Sequence, residues 1–434
     1  MVERLSIRFS SDSKRVILQP FSLSENRLKK VFQRVASIPE KEVGILLDDI
    51  FLKFSKRHKN FEELIFNNYS AVENYIENPE ALSKKRKLLL GAYLSKEYSI
   101  EAAALFNPSI VEHPNQKGLP KGSKRIVMSL RATGEGHISS IEFRELVLNK
   151  TSDVKLKKVS SFCVLPEIKN YTKGEILIRK GNQIKEGNNN DDLADSNYSC
   201  SFPEQTKLSE RVIFPHSKNE IAGMEDVRFV RFKDNNDFRY YGTYTAYSGK
   251  TFRVQLISTK DFINFDIETI NGPAVKDKGL ALFPEKINNK YYMIGRLDGE
   301  NLYLLQAENL YNWSEAEIIR QPKEPWEFVQ IGNCGSPLKT DAGWILLTHA
   351  VGPFRKYVIS ALLLDLNNPA KIIGSIKEPL VEPNNIEREG YVPNVVYSCG
   401  SMIHNEHLVI PYAMSDAYCG FARIKVSKLL KKFK

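Results

Sequence analysis

The feature that most constrains the fold is a repeated strand–turn–strand pattern that fills the chain from Phe106 onward. Each repeat begins with polar residues that lead into an apolar strand. A turn rich in Gly, Asn or Asp follows, and then a second strand. The last four units begin roughly 50–60 residues apart, a spacing that suits one propeller blade of about four strands. A longer first unit precedes them. We therefore predict a mainly β fold, a five-bladed β-propeller whose units enter their first strands near Asn107, Glu225, Leu282, Gly335 and Pro393.

A propeller would bring distant parts of the chain together. The first strand of every blade lies at the central channel, so residues far apart in sequence meet at its mouth. A polar stretch from Lys185 to Asn197 follows the first unit and predicts a loop or an insertion.

In the first quarter of the chain, the apolar residues recur at a different spacing. Apolar residues spaced three and four apart predict four helices, beginning after Ser24, at Pro39, near Phe61 and near Ser83. We therefore divide the chain into an N-terminal segment with an all-helical extension, residues 1–104, and a propeller domain, residues 105–434. The helical part is expected to mediate contacts in a homo-oligomer or to cover one face of the propeller.

Composition excludes several classes of protein. No apolar run reaches the roughly 18 residues that span a bilayer, and the first residues lack the apolar core of a signal peptide. The five cysteines are odd in number and lack zinc-ligand spacing, which predicts no metal site and a reducing, cytoplasmic location. The net charge of +10 comes without the signature of an RNA-binding module. We therefore expect neither a nucleic-acid partner nor a membrane partner.

A short acidic motif stands at the entry of the second unit. Glu225 and Asp226 are adjacent, and Arg228 follows two residues later. Neighbouring side chains of a strand point to opposite faces, so we expect one carboxylate in a cleft and the other held by an arginine such as Arg228. Two acids with separate roles are what acid-catalysed transfer at a sugar centre needs. A structural ion pair at the start of a strand is the alternative.

Several ordered motifs resemble one known family. They are Asn107-Pro108-Ser109, Ser129–Ala132, Gly223–Arg228, Ala281–Ile287, Glu387–Val395 and Pro411–Asp416. From about Asn107 to Leu429 the chain resembles glycoside hydrolase family 130, the mannoside phosphorylases and β-mannosidases. The resemblance also implies a five-bladed propeller.

The resemblance implies a catalytic acid and a set of sugar ligands. Asp226 matches the family's acid, which donates its proton to the glycosidic oxygen through a sugar hydroxyl; Val227 stands where the family has proline. Asn107, Arg131 and Asp416 match the family's residues that hold the mannosyl unit. We add Glu225, Arg228 and Glu387, which lie in the motifs that carry the resemblance, as further substrate-binding candidates. His137 lies in a glycine-rich loop that permits close approach to a substrate, and we add it as a candidate sugar contact.

A second set of matches implies a phosphate site. Lys278 and Arg296 match two arginines that bind phosphate in the phosphorylases, and His349 matches a phosphate-contacting histidine. Tyr357 and Lys339 are looser matches. Lys278 keeps the positive charge of the family's arginine but loses its bidentate geometry. A surface basic pair is the alternative for Lys278 and Arg296.

These matches imply inverting phosphorolysis of β-mannosides to mannose 1-phosphate, with inorganic phosphate as co-substrate and no cofactor. Hydrolysis is one alternative, because the family also contains β-mannosidases; it needs a general base, and Glu225, Glu268 and Glu285 are the candidates. The other alternative is not an enzyme: a propeller that binds a glycan without catalysing its cleavage.

Overall fold

The computed structural model describes residues 2–76, 78–172, 196–234 and 237–434. Most of the loop predicted at 185–197 lies outside these residues. The contacts divide the chain into two compact units. One comprises residues 12–100 and 160–164, and the other comprises residues 1–11, 101–159 and 165–434.

The smaller unit contains the four predicted helices, α1 Glu25–Ala36, α2 Glu40–Phe54, α3 Phe61–Ser70 and α4 Lys84–Tyr93. Their apolar stripes form its core, in which Val43, Ile65 and Leu89 are fully buried. The Ser83 hydroxyl caps α4 by accepting a hydrogen bond from the Arg86 backbone N–H. The prediction of an all-helical segment is wrong in one respect, because strands β2 Val16–Pro20 and β3 Ser95–Ser99 form an antiparallel pair here.

The larger unit is built from strands, as the repeat pattern predicts. They are β1 Glu3–Ser10, β4 Ala104–Glu112, β5 Lys124–Thr133, β6 Ser139–Leu148, β7 Val154–Leu156, β8 Glu167–Asn170, β9 Tyr198–Ser201, β10 Val212–Ile213, β11 Gly223–Asp234, β12 Asp237–Tyr247, β13 Phe252–Thr259, β14 Asn264–Thr269, β15 Ala281–Leu282, β16 Tyr291–Gly295, β17 Leu302–Ala307, β18 Glu315–Arg320, β19 Gln330–Asn333, β20 Leu338–Thr340, β21 Gly343–Val351, β22 Tyr357–Leu364, β23 Ile372–Ser375, β24 Val396–Tyr397, β25 Met402–His404, β26 His407–Met414 and β27 Tyr418–Lys425. A short helix, α5 Val426–Leu430, follows the last strand.

Consecutive strands pair antiparallel in four sheets of this unit. The largest sheet joins β4–β5–β6 to β11–β12–β13–β14, and the other three are β15–β18, β19–β23 and β24–β27 with β1. Apolar clusters fill the space between sheets that follow one another, and one further cluster packs β4–β6 against β26 and β27. Since both faces of a sheet are covered, inner strands such as β21 are buried at every position and form continuous apolar runs.

The N-terminal strand corrects the predicted boundary. Strand β1 pairs with β27, so the first eleven residues belong to the β-rich unit rather than to the helical one. Arg4 of this strand donates from Nε to Glu387 Oε1 at 2.9 Å. The smaller unit therefore begins at residue 12, and β4 opens the main body of the larger unit.

Among the described residues, no helix combines the length and the apolar character needed to cross a membrane.

Candidate active site

A cavity of about 220 Å³ gathers residues from distant parts of the larger unit. Nine of the predicted site residues line it: Asn107, Arg131, Glu225, Asp226, Lys278, Arg296, His349, Tyr357 and Asp416. They come from the ends of β4, β5, β11, β16, β21 and β22 and from the segments between strands. The sequence prediction that these residues meet agrees with this placement.

The acidic motif departs from the alternation of an ideal strand. Glu225 and Asp226 both line the cavity, so the prediction that they face opposite sides is wrong. The pairing of β11 with β12 shifts register between Glu225 and Arg228, and Asp226 has a φ of 55°. A β-bulge at this point turns the second carboxylate to the same side as the first.

Asn107 occupies a similar irregularity in β4. Its φ is 51°, and the pairing of β4 with β5 shifts register between Phe106 and Ser109. The amide Nδ2 donates to Asp226 Oδ1 at 2.7 Å. The amide oxygen Oδ1 is buried and has no hydrogen-bond partner among the described residues. Asn107 can therefore accept a hydrogen bond from a ligand hydroxyl in the cavity.

Arg131 joins the two carboxylates. Its Nη2 donates to Glu225 Oε1 at 2.9 Å, and its Nη1 lies 3.4 Å from Asp226 Oδ1. Its Nε donates to Ser139 Oγ at 2.8 Å, which orients the guanidinium plane. Arg131, rather than Arg228, is thus the arginine that holds the acidic pair.

The two aspartates of the cavity have pKa values shifted in opposite directions. Burial alone raises the pKa of Asp226, but the charges of Arg131 and Arg228 and the Asn107 hydrogen bond hold it below its ordinary value. Burial and the negative charge of Asp226 raise the pKa of Asp416 to about 7. In the ligand-free protein at neutral pH, Asp226 is therefore ionised and Asp416 is partly protonated.

Two further cations, Lys278 and Arg296, line the cavity. Lys278 Nζ is 3.3 Å from Glu225 Oε2 and 4.1 Å from the centroid of the Phe252 ring. Arg296 Nε donates to Asp277 Oδ2 at 3.1 Å. Each cation is thus paired with an acid of the protein and also lines the cavity.

His349 is a neutral imidazole. Burial and the nearby charge of Arg296 lower its pKa to about 3. Its Nδ1 lies 2.9 Å from the backbone oxygen of Asn333, and since a carbonyl only accepts, Nδ1 carries the proton. Nε2 is then an acceptor. The ring of Tyr357 stacks on this imidazole with 5.9 Å between centroids.

Four predicted site residues do not line the cavity. Arg228 lies behind it, where it donates to the backbone oxygen of Asp226 at 2.8 Å and to the Tyr397 hydroxyl at 2.7 Å. Glu387 is buried and accepts from Arg4 and from the Tyr412 hydroxyl. Both therefore support the surrounding backbone in this structure.

The other two lie at the surface. His137 has a φ of 60°, and its Nδ1 is 2.9 Å from the hydroxyl of Tyr391. Lys339 forms an ion pair with Glu285 and lies over the Trp344 ring. Lys339 is the weaker candidate, since its charge is already paired away from the cavity.

Several lining residues were missed in the sequence. Gln330, Arg355 and Tyr397 face the cavity beside the predicted set. Arg355 adds a cation close to the Tyr357 ring, and its own φ of 54° follows a φ of 57° at Phe354. Its place two residues before Tyr357 is the signal that could have found it. Val392 and Val395 also line the cavity and belong to the motif Glu387–Val395.

The three acids proposed as a hydrolytic base differ in position. Glu268 is buried, accepts from the Tyr311 hydroxyl at 3.1 Å and is not part of the cavity wall. Glu285 is paired with Lys339. Glu225 lines the cavity, but two cations hold it, Arg131 and Lys278. Within the described ranges, no group of three or more His, Cys, Asp or Glu side chains is arranged to hold a metal ion.

Comparisons with known proteins identify the family of this chain. The family described as beta-1,4-mannooligosaccharide phosphorylase, glycoside hydrolase family 130, matches residues 191–434. The chain is 33% identical over 230 residues to a 1,2-beta-oligomannan phosphorylase of Thermoanaerobacter sp. strain X514, covering 51% of this chain and 75% of the relative. It is 34% identical over 230 residues to a beta-1,2-mannobiose phosphorylase of the same organism, covering 51% and 74%.

A solved structure has the same fold. The beta-1,2-mannobiose phosphorylase of Listeria innocua, in complex with beta-1,2-mannobiose, superposes with a TM-score of 0.50 at 21% identity, covering 76% of this chain and 92% of that one. The family match spans most of the residues that line the cavity. The chain belongs to glycoside hydrolase family 130.

Proposed function

We propose that this protein is an inverting phosphorylase that transfers a terminal β-mannosyl unit to inorganic phosphate. The observation that carries the proposal is one cavity in which Asp226 and the sugar-binding candidates face Lys278, Arg296, Arg355 and His349. Sugar ligands and an anion site thus lie within reach of each other. The phosphorylase names of the relatives support the same activity.

The acidic side of the cavity suits a sugar. Asn107 offers a buried amide oxygen without a partner, and Asp416 offers a carboxyl group with a pKa of about 7. Such groups accept and donate hydrogen bonds to vicinal hydroxyls. A cavity of about 220 Å³ lies below the range of about 300–1,000 Å³ typical of pockets for drug-sized ligands, which favours one sugar ring with phosphate.

The basic side suits hydrogen phosphate. Lys278, Arg296 and Arg355 supply N–H donors and positive charge, which stabilise an anion in a partly buried site. His349 Nε2 is an acceptor, so it can take the hydrogen bond of the P–OH group of hydrogen phosphate. The imidazole therefore distinguishes the protonated oxygen from the bare oxygens and orients the nucleophile.

The reaction is a single displacement. A phosphate oxygen forms a bond to the anomeric carbon while the bond from that carbon to the glycosidic oxygen breaks. The proton that the leaving oxygen needs comes from Asp226, through a sugar hydroxyl. Asp226 is ionised in the free protein, but an incoming phosphate places negative charge beside it and raises its pKa toward a value at which it carries a proton.

This mechanism needs no protein base, no metal and no organic cofactor, because phosphate is itself the nucleophile. Glu225, the one hydrolytic-base candidate in the cavity wall, is ion-paired to Arg131 and Lys278. Oε1 lies against Arg131 and Oε2 against Lys278, so each oxygen that would take a proton from water already faces a cation of the protein. The contacts of Glu225 therefore favour phosphorolysis over hydrolysis.

For the larger unit we propose a five-bladed propeller. Five groups of antiparallel strands follow one another. The first two share one sheet, and apolar clusters join each later pair of neighbouring groups and the first group with the last. We also propose a cytoplasmic location, supported by the odd number of cysteines, all five of which are buried.

The first test is product analysis on short β-mannosides with and without inorganic phosphate. We expect mannose 1-phosphate, formed only when phosphate is present and initially as the α-anomer. Release of free mannose at a rate independent of phosphate would instead make the protein a hydrolase. No product from any linkage would leave a glycan-binding propeller as the better account.

Asp226→Asn separates the enzyme from a binding protein. The variant keeps the shape of the side chain but has no acidic proton, so we expect kcat to fall by about 10²–10⁴. Sugar affinity measured by calorimetry should stay within a few-fold of the parent. A variant with full activity would remove Asp226 from the mechanism.

A further inference from the structure

The outer face of helix α2 carries an apolar stripe. Ile45 is 61% exposed and Leu52 is 73% exposed. The two residues are seven apart, so they lie on one face of the helix. In the same unit, the exposed positions of α1 carry charged side chains such as Arg27 and Lys30. Two large aliphatic side chains on one solvent-facing stripe indicate a contact surface.

A charged residue stands at each end of this stripe. Glu42 lies three residues before Ile45, and Lys56 lies four residues after Leu52, in the short 3-10 turn Ser55–Arg57 that continues the helix. Both are exposed, and within the described part of the chain neither forms a salt bridge. The face thus has an acid at one end, a base at the other and aliphatic side chains between them.

Such a face is complementary to itself when a second copy runs antiparallel. With a two-fold axis at Asp49, Glu42 lies opposite Lys56 of the second copy, because each is seven residues from the axis. Ile45 then lies within one residue of Leu52 of the second copy. A parallel pair would instead bring each charge against its own kind, which is unfavourable. The antiparallel pair also sets the two helix dipoles in opposite directions.

The centre of this contact is balanced in charge. Two copies of Asp49 approach each other there, and alone they would repel. Lys53 Nζ, however, lies 2.6 Å from Asp49 Oδ2 on the same helix, so each aspartate brings its own lysine. A polar position in the middle of an apolar stripe also favours one register, since a shifted pair would set charges against aliphatic side chains.

A cavity of about 360 Å³ adds apolar surface beside the stripe. Its wall includes Leu46, Phe54 and Tyr93, and each of these side chains is more than a third exposed. Leu46 directly follows Ile45 in α2, so the cavity borders the stripe. A contact centred on the stripe therefore has apolar surface on its flank, beyond the short helix itself.

We infer that this face of α2 is an interface between two copies of the chain, related by a two-fold axis at Asp49. The occupant is a second copy because one surface carries both halves of the charge pair and both halves of the aliphatic contact. The inference is independent of the proposed function, and the face lies outside residues 191–434, which match the family.

The first test measures the mass of the full chain by sedimentation equilibrium over a range of concentrations. The parent should form a dimer. Leu52→Gln should raise the dissociation constant at least about tenfold, since an aliphatic contact is lost from both copies. Because Leu52 is exposed in the single chain, the far-ultraviolet circular dichroism of the variant should match that of the parent.

Charge reversal tests the antiparallel arrangement. At low ionic strength, Glu42→Lys and Lys56→Glu should each raise the dissociation constant about tenfold, and the two changes together should return it to within a few-fold of the parent's value. The matched controls are Glu63→Lys and Lys30→Glu, which reverse exposed charges of the same unit away from α2. They should leave the dissociation constant unchanged.

Three results would overturn the inference. One is a parent that stays monomeric up to about 100 µM, which would leave the face to another partner. Another is a dimer that Leu52→Gln leaves as stable as before, because the contact would then lie elsewhere. The third is a double charge reversal that remains as weak as the single ones, because Glu42 and Lys56 would then not face each other.

Discussion

At the scale of single residues, the candidate site depends on how neighbouring charges set each ionisation state. Arg131 touches Glu225 and Asp226, and with Arg228 and the Asn107 amide it keeps Asp226 ionised against the effect of burial. For Asp416, the nearby cations do not outweigh burial as they do for Asp226. Burial and the charge of Asp226 raise its pKa to about 7, so its negative form is costly in the folded protein.

Asp416→Asn should therefore stabilise the protein at alkaline pH. The folded-state pKa of Asp416 lies above the unfolded value, so between about pH 4 and 7 the unfolded chain releases a proton that the folded protein keeps. The contribution of Asp416 to stability is thus lost as pH rises through this window, whereas asparagine is neutral throughout. We expect the Tm of the variant relative to the parent to be higher at pH 8 than at pH 5, a free-energy difference on the order of 1 kcal/mol.

Asp153→Asn is the control, because its effect on stability should change with pH in the opposite direction. Hydrogen bonds from Thr151, Asn149 and Arg423 lower the pKa of Asp153 to about 2. Its ionised form contributes stability above the unfolded pKa, so this variant should lose stability relative to the parent as pH rises from about 2 to 5. Equal Tm differences for Asp416→Asn at pH 5 and pH 8 would contradict the proposed environment of Asp416.

At the scale of elements, the start of strand β11 is the part whose backbone most directly shapes the site. Gly223 has a φ of 143°, and a Cβ added there would lie 2.9 Å from the Ser139 backbone nitrogen and 3.0 Å from the Ser139 Cβ. Ser139 in turn holds the Arg131 guanidinium. The absence of a side chain at Gly223 thus lets β6 and β11 approach closely enough to position Arg131 against the carboxylates.

Gly223→Ala should reduce both stability and activity. The added methyl group forces β6 and β11 apart and strains the backbone, at a cost of about 1–3 kcal/mol in the free energy of unfolding. The displaced Ser139 should also lower kcat/KM. Thermal unfolding and product assays measure the two effects.

Gly44→Ala in α2 is the matched control. This glycine has no left-handed φ, and the nearest atom to an added Cβ is the flexible Lys85 Nζ at 3.7 Å. Alanine there should stabilise the helix by roughly 0.5–1 kcal/mol. A Gly223→Ala protein as stable as the parent would show that the close contact with Ser139 is not required.

At the scale of the whole molecule, the two units are not consecutive stretches of chain. Strand β1 adds to β27 in the last sheet of the larger unit, and its partly buried Leu5, Ile7 and Phe9 pack on a core cluster of that unit. Stability of the β-rich unit should therefore depend on residues that precede the helical unit in sequence.

Deleting residues 2–10 should destabilise the β-rich unit in particular. All three tryptophans, Trp313, Trp326 and Trp344, lie in this unit, so their fluorescence follows its unfolding alone. We expect Tm by tryptophan fluorescence to fall by at least about 5 °C, because a strand, its apolar contacts and the Arg4–Glu387 pair are lost. Ser6→Ala, at an exposed position of β1, should leave Tm unchanged. A truncated protein with the parent's Tm would contradict a structural role for β1.

The sequence alone predicted the kind of structure and named most of the residues that line the cavity. Strand–turn–strand repeats and helical stripes arise from local side-chain patterning, so they are legible without tertiary contacts. The resemblance to the family pointed to nine of the residues that line the cavity, five of which lie in the ordered motifs.

The tertiary structure decided what depends on contacts between distant residues. The bulges at Asn107 and Asp226 overturn the alternation expected of a strand, and only the neighbouring strands define them. Long-range contacts likewise placed Arg228 and Glu387 behind the cavity, brought Arg355 to its wall, and joined β1 to β27. The tertiary structure also set the pKa values of Asp226, Asp416 and His349. Burial and neighbouring charges, which shift these values, exist only in the folded chain.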